Sequence, residues 1–511
     1  MQHVLLLKNK KIIMMNLKKI LIIIFLSSYL FNYSQSGFEI VIDDDANSYL
    51  YKSITDENGN TYFAGVKIDN GAKGGIFLKV TPDGNYTRKV YSFGGDTLCS
   101  FRDIVKLKEG FMLFGVNGVK VSNTKRYNYV WVVRLDGQLN KVYSKSYEII
   151  DKYWDPLYKV TMNNDSTIYA IGSLNYDGSI STVVFFSMKF NTNGDTLISR
   201  YFYYGNYSLK KEIYSIMKKQ DNNGVYAIAT GFTVPVVSTK DLINIDSNLN
   251  YTYQAIINPD PNMSVIYEPM SATWFDDSTI LLSGNIYNPP EKSGNYDYSL
   301  ALIDLECNYL DEAIFGRSDT SDYAAWFKSA DLIDKNEIFF TGSFKHLIIQ
   351  PINAPVDVYV LDENLNIKGM KRYGGEHNYS VMTVSVTPDG GCVIGGTVYN
   401  WQDSVYMDTD LWIKKVYAED ITTNAEDTPD PNDQDVLVHP NPFNNKLIIE
   451  TIRKGLIFSL YTINGECVKQ IKIPETFRFQ INTGNLEKGV YIYGIKYKNR
   501  VIQTGRLIKQ F

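Results

Sequence analysis

The sequence predicts an all-β protein, a seven-bladed β-propeller followed by a small C-terminal Ig-like β-sandwich. Three observations carry this expectation. Seven glycine-anchored repeats run through the middle of the chain. An unpaired strand precedes the first repeat, and the last repeat is one strand short. A Pro/Asp/Asn-rich segment then separates the repeats from a second region of period-two alternation.

The repeats come first, because an internal period determines the architecture of everything inside it. Each repeat has an apolar–aromatic run ending in glycine: "TYFAG" (Gly65), "FMLFG" (Gly115), "TIYAIG" (Gly172), "VYAIATG" (Gly231), "TILLSG" (Gly284), "EIFFTG" (Gly342) and "CVIGG" (Gly396), at intervals of 50, 57, 59, 53, 58 and 54 residues. A strand ending in an Asn/Asp/Gly turn precedes each run, as in "KSITDENGN" and "VSVTPDGG". Such turns supply the positive-φ positions of tight hairpins. After a variable insertion comes a third strand with its own turn, as in "VWVVRLDGQLN" and "DVYVLDENLN", and usually a fourth, as in "YTRKVYSFGG". Four short strands in a unit of this length describe a propeller blade.

The ends of the repeat region complement each other. The seventh repeat stops at "LWIKKVYAED" without a fourth strand, while "GFEIVIDDD" (Gly37–Asp45) precedes the first repeat with no partner of its own. Pairing the two closes a ring and removes an exposed strand edge. An open β-solenoid would not need complementary half-blades.

Composition fits a packed protein rather than a disordered one. The 511 residues are 44% hydrophobic and 14% aromatic, which favours strands and exceeds what one ordinary domain needs. Residues 14–36, "MMNLKKILIIIFLSSYLFNYSQS", have the basic start, short apolar run and small-residue exit of a secretory signal peptide, with 1–13 as an upstream extension. The apolar run is shorter than the roughly 20 residues of a spanning helix. The net charge of −5 is unevenly spread. Residues 1–36 hold five lysines and no acid, and 436–511 hold 12 basic and 4 acidic residues, leaving −18 for 37–435. An acidic main domain disfavours nucleic acid as a partner. Cys99, Cys307, Cys392 and Cys467 are far apart and form no metal or redox motif. Buried free thiols are expected, with a Cys99–Cys392 disulfide as the alternative.

The segment 418–434, acidic and poor in apolar residues, reads as a linker. The chain therefore divides into a signal peptide (1–36), a propeller (37–417), the linker, and a final domain (435–511). That last domain opens with "VLVHPNPF" and continues through "LYTINGECV" and "INTGNLEKGVYIYGIK" to a basic tail. These motifs, in this order, resemble the type A C-terminal sorting domain of the type IX secretion system, over nearly all of 435–511. Pro440, Asn441, Pro442, Gly465 and Gly489 fall on the family's motif positions. His439 stands where the family usually has Tyr, and the tail ends "RLIKQF" rather than in a lysine pair. The resemblance implies a bacterium of the Bacteroidota type and passage through the periplasm. It also implies handling by the type IX machinery, then removal of the domain with attachment at the outer cell surface or release.

The repeats carry no local catalytic signature. His346 and His377 are isolated, and no G-x-S-x-G, H-E-x-x-H or Walker sequence occurs. "DSNLN" (Asp246–Asn250) and "DENLN" (Asp362–Asn366) mimic the start of a calcium loop, but they lack its glycine and glutamate and coincide with hairpin turns. No cofactor, metal site or catalytic residue is therefore predicted. The aromatic-rich insertions place Tyr296, Tyr298, Trp401 and Tyr406 as candidates for a binding face, because loops on a rigid scaffold commonly carry binding. The function expected is that of a non-catalytic glycan- or protein-binding scaffold. The alternative is a carbohydrate-active or other hydrolase, whose carboxylate pair leaves no local trace in sequence. The ligand itself is not legible.

Overall fold

The computed structural model describes residues 37–422 and 436–510, save 44–45, 70–71, 93–96, 121–125, 150–156, 165, 176–182, 204–210, 234–236, 257–267, 288–295, 317–319, 345–353, 375–376, 400–408, 452–454, 475–477 and 498–499. The expected signal peptide and most of the expected linker lie outside the described residues. Among those described, no helix is long and apolar enough to cross a membrane.

Seven four-stranded antiparallel blades follow one another along the chain. Counting strands from the innermost outward, blade 1 is Asn47–Thr55, Thr61–Asp69, Ala72–Val80 and Tyr86–Tyr91. The innermost strands of blades 2 to 5 are Thr97–Lys106, Leu157–Asn164, Lys211–Lys218 and Glu268–Trp274. Blade 6 starts with two fragments, Tyr323–Ala324 and Ala330–Asp334, and blade 7 with Asn378–Thr387. Innermost strands of neighbouring blades touch in ring order, and blade 7 touches blade 1. The ring closes as the sequence predicts. Glu39–Ile42 pairs antiparallel with Leu411–Lys414 and forms the outer strand of blade 7.

Apolar side chains of facing blades make the cores. Blades 2 and 3 share Phe114, Val132, Ile168 and Phe186, and blades 6 and 7 share Phe339, Val358, Ile394 and Trp412. Buried polar side chains stitch the inner strands together. Ser53 Oγ lies 2.8 Å from Thr383 Oγ1 and 2.7 Å from Ser385 Oγ, across the ring closure. Asp103 accepts the Val160 N–H at 2.8 Å, Asn285 Oδ1 accepts the Ala324 N–H at 2.7 Å, and Ser343 Oγ accepts the Val381 N–H at 3.0 Å. A buried backbone N–H needs such a partner, so these side chains set the blade spacing.

The anchor glycines have a steric cause. Opposite Gly65, Gly115, Gly284 and Gly396 the innermost strand carries a β-bulge, with Tyr51, Arg102, Met270 and Met382 as the extra residues. The bulged backbone leans onto the glycine. A Cβ on Gly115 would collide with the Ser100 carbonyl oxygen, and one on Gly65 with that of Tyr49. Gly115→Ala is expected to cost about 2–3 kcal/mol by forcing the inner strand aside, readable as a lower urea midpoint with an unchanged slope. Blade 4 corrects the repeat alignment. Its bulge falls at Tyr214, opposite Ala229, so Ala229 and not Gly231 occupies the anchor position.

The turns after the third strands explain the calcium-like motifs. Asp246 Oδ1 accepts the N–H groups of Asn248 and Asn250 at 2.8 Å, and its Oδ2 accepts from Asn250 Nδ2 at 2.8 Å. Asp362 repeats this with Asn364 and Asn366 at 2.9–3.0 Å. Both carboxylates are filled by their own turn. The fourth residue is left-handed (Leu249 φ 62°, Leu365 φ 54°), and its side chain is buried between blades. Burial of an apolar side chain offsets the steric cost of that conformation.

Residues 418–422, expected as linker, form a short helix, Ala418–Thr422. Ala418 and Ile421 are buried in the blade 6/7 core. After them the described chain resumes as a sandwich. One sheet holds Val436–His439, Lys446–Thr451 and Arg478–Asn482. The other holds Cys467–Lys472, Leu456–Thr462, Gly489–Tyr497 and Arg500–Lys509. Leu447, Ile449, Phe458, Leu460, Tyr493 and Ile495 meet between them.

All four cysteines are free thiols. Cys99 and Cys392 lie in different cores, which removes the alternative disulfide. Cys467 is exposed, contrary to the expectation of burial, because it starts the sandwich's edge strand. Burial pushes the Cys307 thiol up to about 12. A thiol reagent at neutral pH is therefore expected to label Cys467 alone in the native chain and all four cysteines after denaturation, as counted by mass spectrometry.

Candidate functional site

The propeller axis brings together side chains from distant repeats. The bulged Tyr51 places its ring 4.4 Å from the Arg102 guanidinium and 4.9 Å, edge-on, from Phe327. Phe327 belongs to the interruption in the innermost strand of blade 6. Between Ala324 and Ala330 the backbone leaves its own sheet and bonds to blade 7 instead. Trp326 N–H reaches the Val381 carbonyl at 3.2 Å, Phe327 N–H reaches that of Met382 at 2.9 Å, and Val384 N–H returns to the Lys328 carbonyl at 3.0 Å. This carries Phe327 across the channel until Lys159 of blade 3, nearly opposite in the ring, sits 4.9 Å from its ring centroid. Phe327 thus plugs the axis.

Against the plug lies a cavity of about 240 Å³ walled by blades 3, 4 and 5, with Thr161, Tyr214, Ser271 and Trp274 among its lining. Lys52, Lys159, Lys218 and Lys328 also line it, and no carboxylate does among the described lining residues. Burial pushes the Lys159 ammonium down to about 8; the nearby Asp103 opposes this, and Lys52 and Arg102 add to it. Burial likewise lowers Lys328, with Asp331 opposing. Two of the inward carboxylates, Asp103 and Asp331, have structural work. Asp103 accepts the N–H groups of Ile104 and Val160, both at 2.8 Å. Asp331 Oδ2 holds Lys328 Nζ at 2.6 Å and the Val386 N–H at 3.0 Å.

The residues singled out from sequence fall elsewhere. Tyr298 is fully buried in the blade 5/6 core, ringed by Phe315, Phe340 and Tyr359, so it faces no ligand. It lies two residues into the strand Tyr296–Asp304, whose interior is buried on both faces, so it belongs to the blade core and not to the insertion. Tyr296 is half-buried and packs on Tyr323 at 4.8 Å, which stacks on Trp326 at 6.2 Å. Trp401, Tyr406 and His346 lie outside the described residues. Sequence reasoning missed Lys52, Arg102, Lys159, Phe327 and Lys328. Their signal is an aromatic–basic pair in the innermost segment of four blades: Tyr51–Lys52, Phe101–Arg102, Tyr158–Lys159 and Phe327–Lys328.

In the C-terminal sandwich, the Pro-Asn-Pro-Phe motif clasps the last strand. Asn441 Nδ2 donates to the Arg506 carbonyl and its Oδ1 accepts the Ile508 N–H, both at 2.9 Å. Phe443 is buried, its N–H bonds the Ile508 carbonyl at 2.8 Å, and the Gln510 N–H returns to Phe443 at 3.0 Å. The peptides before Pro440 and Pro442 are cis. Residues 437–510 match the secretion system C-terminal sorting domain family. The chain is thus a propeller fused to a type IX sorting domain, and it is exported through that system to the cell surface or the extracellular space. No curated relative matches the chain. Among solved structures, a subtype N10 neuraminidase-like protein (A/little yellow-shouldered bat/Guatemala) is 8% identical at a TM-score of 0.37, covering 63% of this chain and 98% of its own. The extracellular domain of a hybrid two-component system from B. thetaiotaomicron is 9% identical at 0.31, covering 90% and 67%. Cobalt-substituted Synechocystis ACO is 8% identical at 0.35, covering 75% and 93%. Likeness this low carries no inference about ligand or reaction.

Proposed function

We propose that the propeller is a non-catalytic scaffold that binds an extracellular glycan or protein. In the precursor it lies between a cleaved signal peptide (1–36) and the sorting domain (435–511). The observation that carries this is the use of the inward carboxylates. Asp103 and Asp331 are committed to backbone N–H groups and to Lys328, and the Phe327 plug occupies the axis. Acid–base chemistry on a glycosidic bond needs two carboxyl groups about 5–10 Å apart and open to the substrate. Propellers host both binding and catalysis, so the site rather than the fold has to decide. The half-buried aromatic row Tyr296–Tyr323–Trp326 supports a binding surface for a flat, amphipathic ligand.

The test uses the purified mature chain, 37–511, with a panel of polysaccharides and peptides. Both retention and the appearance of new chain ends are scored. Retention without new ends is expected. Cleavage of any panel member would overturn the scaffold proposal in favour of a hydrolase.

A further inference from the structure

We propose that the axial cavity is a binding site for a small oxyanion, such as the carboxylate of a sugar acid or a phosphate or sulfate group. This rests on the propeller's being a binding scaffold and names a ligand chemistry for its axis.

The argument begins with charge. The propeller region is strongly acidic, yet its axial cavity is lined by four lysines. Lys52, Lys159 and Lys328 come from blades 1, 3 and 6, so only the closed ring brings them together. Asp331 neutralises Lys328. Among the described residues neither Lys52 nor Lys159 has an ion-pair partner, although Asp103 and Glu212 lie within electrostatic range of Lys159. Asp103 is already spent on two backbone N–H groups. Like charges gathered in a partly desolvated pocket are costly unless something pairs with them. Retaining them at a cavity is the signature of a site for the opposite charge.

Size and lining agree. A cavity of about 240 Å³ has room for an oxyanion or a single sugar acid. Thr161 and Thr273 add hydroxyls, and Tyr214, Trp274 and Phe327 add flat apolar faces. Cationic donors beside aromatic walls suit a ring bearing an anionic group.

The experiment is calorimetric titration of the mature chain 37–511 with galacturonate, galactose and inorganic phosphate at pH 7. Galacturonate and galactose differ in the C6 carboxylate, so the pair isolates the charge, and phosphate separates a free inorganic anion from a sugar acid. Saturable binding of galacturonate, phosphate or both is expected, with none for galactose. Lys159→Met should weaken it about tenfold or more, since a charge-assisted bond is lost, whereas Lys159→Arg should largely retain it. Affinity should also fall as pH rises through about 8, where Lys159 loses its proton. Thermal shift provides the second readout: the anion should raise the Tm of the wild type and not that of a folded Lys159→Met chain. Absence of saturable anion binding up to about 10 mM, or equal binding by Lys159→Met, overturns the proposal. Equal binding of galactose overturns the anion site and leaves the scaffold function standing. Turnover of galacturonate overturns the scaffold function itself.

Discussion

Deleting residues 37–43 lowers the melting temperature of the propeller by roughly 5–10 °C, on the scale of a few degrees per kcal/mol for a domain of this size. The strand Glu39–Ile42 is short, but it completes blade 7. Ile42 is buried, and removing such a side chain forfeits about 1.5–3 kcal/mol. Glu39 Oε1 accepts the Trp412 indole N–H at 2.8 Å, and its Oε2 accepts Lys414 Nζ at 3.1 Å. Loss of the strand leaves that indole N–H without its partner and exposes the third strand of the blade as an edge, which also invites aggregation. Differential scanning calorimetry of the mature chain reads the effect, and an unchanged Tm would mean that the ring does not depend on this closure. A pH dependence follows from the same contact. Burial pushes the Glu39 carboxyl up, but the hydrogen bonds from Trp412 and Lys414 outweigh it, and the net shift is downward from 4.5. The folded state therefore binds the proton more weakly than the unfolded chain. Stability from Glu39 is present above about pH 4.5 and is lost as pH falls through the lowered value. Glu39→Gln should flatten that part of the acid limb.

A chain ending at residue 422 is exported to the periplasm and stays there. Residues 437–510 match the sorting-domain family, and the truncation removes them while sparing the helix Ala418–Thr422 that packs on blades 6 and 7. The propeller should consequently fold and remain soluble behind the outer membrane. Cell fractionation with surface proteolysis reads the outcome, and normal surface display of the truncated chain would overturn the role of the tail. A milder variant follows from the clasp between motif and final strand. Asn441→Ala removes two hydrogen bonds with that strand, one donated to the Arg506 carbonyl and one accepted from the Ile508 N–H. Display should be reduced rather than abolished, because buried Phe443 still ties the motif to Ile508 and Gln510.

Much of the fold was legible because its determinants repeat. Polar turns, apolar strands and a strand-ending glycine recur at intervals of 50 to 59 residues, and under four of the bulges that glycine meets a steric need. The orphan strand at the start and the missing strand at the end were visible as a mismatch in count. The sorting domain was legible because its motif order is dense and nearly contiguous. The candidate site was not. Tyr298 looked like an insertion aromatic, but the strand it belongs to is buried on both faces and takes it into the core. In blade 4 Ala229 stands opposite the bulge and the glycine falls two residues later, which shifts the apparent period by two.

What the sequence by itself determined is the all-β class, the seven units, the closure by residues near 37–45 and the export label. These depend on interactions between neighbours in the chain or on a repeated pattern. Only the tertiary structure decided the axis. Lys52, Lys159, Phe327 and Lys328 are separated by up to 276 residues, from Lys52 to Lys328, and each resembles an ordinary strand residue in its own repeat. Ring closure alone makes them neighbours, and the strand interruption in blade 6 follows from backbone bonds to blade 7 that no local pattern encodes.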